Sequence, residues 1–210
     1  MLLKWIRCTV PDAKRPAFSA TQAKWASIAN ADGFYAQVGG WDASRPGQAC
    51  IVGLWRDQAA YQHFMDDLHD QVFHSNHQAL TYTDIQTGIY DTLFDVSHSG
   101  EDIGQIVDRA QWITVFRWLV QQDIRTDFER FLHDEWKPAL EDTSIMLAAQ
   151  VARQSGLSGD YLVALIWHQE QDFQQAIMRS LPILLQRTQS HSEGLLYSFS
   201  LLPQWKVIAT

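Results

Sequence analysis

The chain reads as an α+β protein built from two tandem βαββαβ units, the ferredoxin-like arrangement, and three observations predict this. The stretch Ala49 to Asp70 is echoed from Tyr161 onward: laying Trp55 on Trp167 also sets Cys50, Ile51 and Val52 on Leu162, Val163 and Ala164, and Tyr61 on Phe173. A self-similarity of this length points to a repeated structural unit. Both halves also run through the same order of apolar segments, strand, helix, two strands, helix, strand. Finally, the segments switch between the two-residue period of strands and the three-to-four-residue period of helices.

Met1 to Val10 is the first expected strand, with Lys4, Ile6, Cys8 and Val10 on one face and Trp5, Arg7 and Thr9 on the other. Pro11 and Asp12 open a helix whose stripe is Phe18, Thr21, Trp25 and Ile28, and Asn30 to Gly33 ends it. Phe34 to Trp41 and Ala49 to Trp55 form a hairpin across the turn-rich Asp42 to Gly47. Asp57 is placed to cap the next helix, whose stripe is Tyr61, Phe64, Met65, Leu68 and Val72. After a polar stretch, a fourth strand runs through Ile85, Thr87 and Ile89 towards Phe94.

The second half repeats this plan. Gln111 to Val120 is a strand, and a helix from Asp123 carries Ile124, Phe128, Phe131, Leu132 and Trp136. Strands are expected near Leu147 to Arg153 and Tyr161 to Trp167, then a helix from Gln169 broken at Pro182, a strand from Leu195 to Leu202, and a tail from Trp205 to Ile208. Setting Phe18 on Phe128 brings Arg7 onto Arg117. Polar Ser97 to Asp102 has the composition of a boundary. The expected division is therefore residues 1–96, a linker at 97–109, and residues 110–210.

Composition narrows the function classes. With 46% hydrophobic and 19% charged residues the chain can build a core without metal or disulfide staples. A net charge of −8 without a Lys/Arg cluster argues against nucleic acid as partner. No apolar run approaches the roughly 20 residues of a membrane helix, so the expectation is a cytoplasmic protein with no membrane partner. Cys8 and Cys50 fall inside strands, where a reduced cysteine serves as a small buried hydrophobe.

A four-stranded sheet with helices on one face needs a cover for the other, and a second sheet is the obvious one. Here the chain resembles the dimeric α/β-barrel superfamily, which includes antibiotic-biosynthesis-type and haem-degrading monooxygenases. That resemblance implies two ferredoxin-like units packed sheet to sheet as an α/β barrel, either within one monomer as an internal pseudo-dimer or in a homodimer. Through Lys4-Trp5-Ile6-Arg7-Cys8, Gly39-Gly40-Trp41-Asp42 and His69-Asp70, residues 1 to 95 also resemble the uncharacterised bacterial YdbC-like family, which brings no established activity.

His69 is the candidate catalytic residue. Four positions after Met65 and three before Val72, it sits at the edge of an apolar stripe, and the repeat sets Leu181 opposite it. A half-buried imidazole there is a general base, a hydrogen-bond anchor, a haem ligand, or a core histidine satisfied by a neighbour. Arg7 and Arg117 each need a carboxylate or an anionic ligand if buried. Gly39-Gly40-Trp41-Asp42 lets a ligand or a backbone approach closely, with Trp41 as a wall and Asp42 as a polar group. His63, His74 and His77 do not form a metal site with His69, because His63 lies on another side of the helix and no carboxylate pattern accompanies the others. The expected function is binding of a small apolar or aromatic molecule in the N-terminal unit by Trp5, Arg7, Trp41, Asp42, Arg117 and His69, in its active form as a cofactor-free monooxygenase-like enzyme. The alternatives are a non-catalytic interaction module and haem binding through His69.

Overall fold

The computed structural model describes residues 1–156, 159–179, 181–189 and 193–210. Two compact units emerge. The first comprises Met1–Ile89, Asp102–Asp108 and Phe199–Thr210, and the second Tyr90–Glu101 and Arg109–Ser198. Among the described residues no helix is long and apolar enough to cross a membrane.

The first unit contains β1 (Leu2–Thr9), α1 (Arg15–Ala23), β2 (Phe34–Trp41), β3 (Gln48–Trp55), α2 (Gln58–Phe64), α3 (Asp70–Ser75) and the first residues of β4 (Asp84–Ser97). Its strands lie in the order β4, β1, β3, β2, the antiparallel ferredoxin-like order. Alternation fixes the register, Leu2 opposite Trp55 and Arg7 opposite Cys50. As expected, Asp57 caps α2, its Oδ1 accepting from the Ala60 amide at 2.8 Å. A π turn, Met65–His69, separates α2 from α3. The helix-facing core is aromatic: Phe34, Trp55 and Phe64 are all nearly inaccessible, with the Trp55 and Phe64 rings stacked 4.7 Å apart.

Two segments distant in sequence complete this unit. The expected linker holds a helix, α4 (Ile103–Arg109), with Ile103, Ile106 and Val107 buried. Residues 199–210 run back along β2. Asp42 bridges to Phe199, the Leu202 amide donates to the Gly39 carbonyl at 2.9 Å, and a short strand, β9 (Val207–Ile208), pairs with Ala36 and Gln37. Trp205, 1% exposed, plugs between Phe18 and Trp41.

The second unit holds the remainder of β4, then β5 (Trp112–Leu119), α5 (Arg125–Phe131), α6 (Lys137–Glu141), β6 (Met146–Gln154), β7 (Asp160–Trp167), α7 (Glu170–Arg179), α8 (Pro182–Gln189) and β8 (Glu193–Ser200), ordered β8, β5, β7, β6, β4. Trp112 faces Trp167 as Leu2 faces Trp55. Pro182 starts α8 rather than kinking a continuous helix, a position where its missing N–H costs nothing. Phe116, Trp118, Phe128 and Trp136 fill the core, and the Trp136 indole donates to Thr188 Oγ1 at 3.0 Å.

Candidate functional site

The first unit encloses a cavity of about 350 Å³ between its sheet and its helices. Lys4 and Ile6 of β1 and Ile51 and Trp55 of β3 line it on one side; Gln22, Trp25, Phe64, Met65, His69 and Phe73 line it on the other. The π turn organises the helical wall. Such a turn takes more residues to complete than an α turn, so side chains four apart stay close to one line. Met65, His69 and Phe73 all reach the cavity in this way.

His69 is held on three sides by rings. It is stacked against Phe73 at 5.8 Å and 9° between planes, with Trp25 and Phe64 each at 5.7 Å. Its Nδ1 lies 2.9 Å from Asp70 Oδ1. An ionised carboxylate only accepts, so Nδ1 carries the proton in the neutral ring and Nε2 is left as an acceptor. The same hydrogen bond holds the Asp70 carboxyl below its ordinary range.

Lys4 is the other ionisable group of note. Its ammonium stands 5.1 Å from the centre of the Tyr61 ring, a cation–π contact. No acidic side chain lines the cavity among the described residues. Burial lowers the Lys4 pKa from 10.5 to about 8 and pushes that of Tyr61 up to about 12, so the tyrosine stays neutral. Gln22, 1% exposed, leaves its Nε2 without a hydrogen-bond partner. Trp25 donates to Gln78 Oε1 at 2.7 Å. The polar groups of this cavity, among them Gln37, Tyr82 and Thr87, thus carry no negative charge.

The lysine has a thermodynamic signature. Its pKa is lower folded than unfolded, so between pH 8 and 10.5 the unfolded chain binds more protons and stability rises with pH. The penalty at pH 7 is at most about 3 kcal/mol. Lys4→Met is therefore expected to raise the melting temperature at pH 7 and to flatten the wild-type rise above pH 8. Tyr61, Tyr82 and His69, the other titratable groups on the cavity wall, are present in both proteins and drop out of the difference. Identical pH–stability curves for the two proteins would disprove the assignment.

Of the six sequence candidates, His69 alone reaches this wall. Alternation along β1 carries Trp5 and Arg7 to the opposite face from Lys4 and Ile6, where Trp5 stacks on Phe199 at 6.2 Å and Arg7 donates to Gln86. Trp41 packs on Phe18 and Trp205, with the Arg15 guanidinium 4.3 Å above its ring. Asp42 is occupied by its own turn, accepting from the Ser44 and Arg45 amides at 2.8 Å each. Arg117 belongs to the second unit and pairs with Asp160, Nη2 to Oδ2 at 2.6 Å. The thiols of Cys8 and Cys50 are buried and free, and burial raises both pKa values, that of Cys8 to about 12. Among the described residues no cluster of three His, Cys, Asp or Glu is placed to hold a metal ion.

Sequence reasoning missed Lys4 and Gln22. The signal for Lys4 was available, a charged residue on the strand face shared with Ile6 and Cys8. In the second unit the positions matching Lys4, Gln22 and His69 at offsets of 110 to 112 are Thr114, Leu132 and Leu181, all fully buried. There a threonine hydroxyl and two leucines stand in place of the lysine, the glutamine and the histidine of the cavity.

Residues 2–90 match the family described as a domain of unknown function, DUF4937. The chain is 33% identical over 93 residues to the uncharacterised protein YdbC of Bacillus subtilis (strain 168), covering 43% of this chain and 78% of that protein. Solved structures extend the likeness to the whole chain. A protein of Fusobacterium nucleatum subsp. nucleatum, provisionally described as a monooxygenase, matches with a TM-score of 0.75 at 10% identity, over 96% of this chain and 92% of its own. Another with the same provisional description, from Lactobacillus acidophilus, matches at 0.71 and 9% identity, over 100% and 99%. At such identities the shared property is the fold. Through residues 2–90 the chain belongs to the YdbC family, the family of unknown function DUF4937.

Proposed function

We propose that the first unit binds a small, largely aromatic molecule in its cavity and that His69 accepts a hydrogen bond or a proton from it. The observation that carries this reading is the imidazole set in an aromatic wall with Nδ1 engaged by Asp70 and Nε2 left as acceptor. As a general base, His69 would take the proton of an acidic O–H or C–H group, and Asp70 would stabilise the imidazolium that forms. The fold shared with proteins provisionally described as monooxygenases supports oxidation of such a molecule by dioxygen as the reaction, and no bound cofactor is assigned to it in this proposal. The matching register of the two units supports their origin as copies. Haem ligation through His69 Nε2 is the competing reading, and it requires a Soret band on hemin titration that His69→Ala removes.

The direct test is titration with 2-naphthol, read by quenching of tryptophan fluorescence, since Trp25 and Trp55 line the cavity. Saturable quenching is expected. His69→Leu, which copies Leu181, should weaken binding about tenfold, the worth of one hydrogen bond, with an unchanged or higher melting temperature. A lower melting temperature with unchanged affinity would make His69 a piece of the core.

A further inference from the structure

The binding reading says that the cavity is occupied; the polar inventory of its wall says by what. Lys4 projects an ammonium into apolar surroundings that supply a tyrosine face and no carboxylate among the described residues. A half-buried cation in apolar surroundings is tolerated when an anion or a set of acceptors meets it. The aromatic face of Tyr61 meets only part of that need. Gln22 adds an independent observation on another element, an amide donor in a 1%-exposed side chain with no acceptor. Both groups lack the same thing, an oxygen acceptor, and the lysine favours one with negative charge.

We infer that the cavity takes an anionic aromatic molecule, a carboxylate or an ionised phenol or enol, whose oxygen pairs with the Lys4 ammonium while its ring lies among Trp25, Trp55 and Phe64. The inference rests on the binding reading and adds a charge to the ligand. It also orders the roles of two residues. His69, with Nδ1 engaged by Asp70 and Nε2 turned to accept, suits a ligand that arrives with a proton to give up. Lys4 suits the anion that remains, so both the acid and its conjugate base find a partner in one cavity. Lys4 is on this argument a specificity-determining residue, and its fall towards a pKa of 8 is the cost that the anion relieves.

The experiment compares 2-naphthoate with its neutral analogue 2-naphthalenemethanol at pH 7, by tryptophan quenching and calorimetry, on the full chain. Wild type is expected to favour naphthoate about 10- to 100-fold, the range of a charge-assisted hydrogen bond. Lys4→Met should erase that preference by weakening naphthoate far more than the neutral probe. Lys4→Gln, which keeps a donor without the charge, serves as a second variant, and melting curves establish that both fold. Equal binding of the two probes to wild type, or a preference that survives both substitutions, overturns the anion inference and leaves an aromatic cavity. Failure of both probes to bind overturns the binding reading and the inference together.

Discussion

Gly40→Ala is expected to cost the first unit about 3 kcal/mol or more, and to loosen the segment 199–210 before anything else. A Cβ built on Gly40 would stand 1.9 Å from the Ser200 carbonyl oxygen, a backbone atom with no rotamer to change. Either β2 or the returning segment must move. The segment is the weaker side, held by the Asp42–Phe199 bridge, the two-residue pairing of β9 and the burial of Trp205. Losing the Trp205 plug between Phe18 and Trp41 removes a fully buried indole from the core, a loss in the range of large core truncations. Trypsin reads this out at Lys206, where cleavage should accelerate in the variant. Wild-type rates of cleavage together with an unchanged urea midpoint would contradict the account.

Asp160→Asn is expected to destabilise the second unit by about 3 kcal/mol. The Asp160 side chain is 3% exposed, takes Arg117 Nε at 3.0 Å and Nη2 at 2.6 Å, and accepts from Tyr90 Oη at 3.1 Å. Removing its charge leaves a guanidinium with a poor partner in a mostly buried position, and breaking a buried pair from one side costs about 3–5 kcal/mol. The low end applies because Arg117 keeps 21% of its side chain in solvent. Replacing both members, Arg117→Met with Asp160→Leu, should recover most of the loss, because no uncompensated charge is then buried. Urea titration of the single and double variants decides the matter. A double variant no more stable than Asp160→Asn would show that the pair contributes more than mutual compensation.

The elements that alternation and capping control were legible in the amino-acid sequence. The β2–β3 hairpin, the cap at Asp57 and the sidedness of β1 are dictated by neighbours within a few residues, so local pattern suffices. The helix at Ile103–Arg109 was not read, because a polar run ahead of it made 97–109 look like a linker, although Ile103, Ile106 and Val107 stand at helical spacing. Other features depend on partners far along the chain. Gly39-Gly40 left open whether a ligand or a backbone comes close; at Gly39 the answer is the backbone of Cys50 on β3, and at Gly40 it is that of Ser200, 160 residues away. The π turn that ends at His69 has no periodic signature, because one extra residue in a helical turn looks like an ordinary stripe with its edge displaced. Trp5, Arg7 and Lys4 show the remaining difficulty. Their sidedness was readable, but which face of β1 borders a cavity depends on how tightly the helices pack over it, and local pattern does not encode that.

Because residues 199–210 finish the first unit, its assembly is tied to the timetable of protein synthesis. The ribosome delivers β1 to α3 early and then makes more than a hundred further residues before the segment that covers Phe18 and Trp41 exists. At ordinary elongation rates that interval is on the order of ten seconds. During it the β2 edge is unpaired and two large aromatic rings face solvent, a surface that chaperones recognise and that promotes aggregation. The nascent N-terminal half therefore waits, incompletely sealed, for a strand encoded more than a hundred residues downstream.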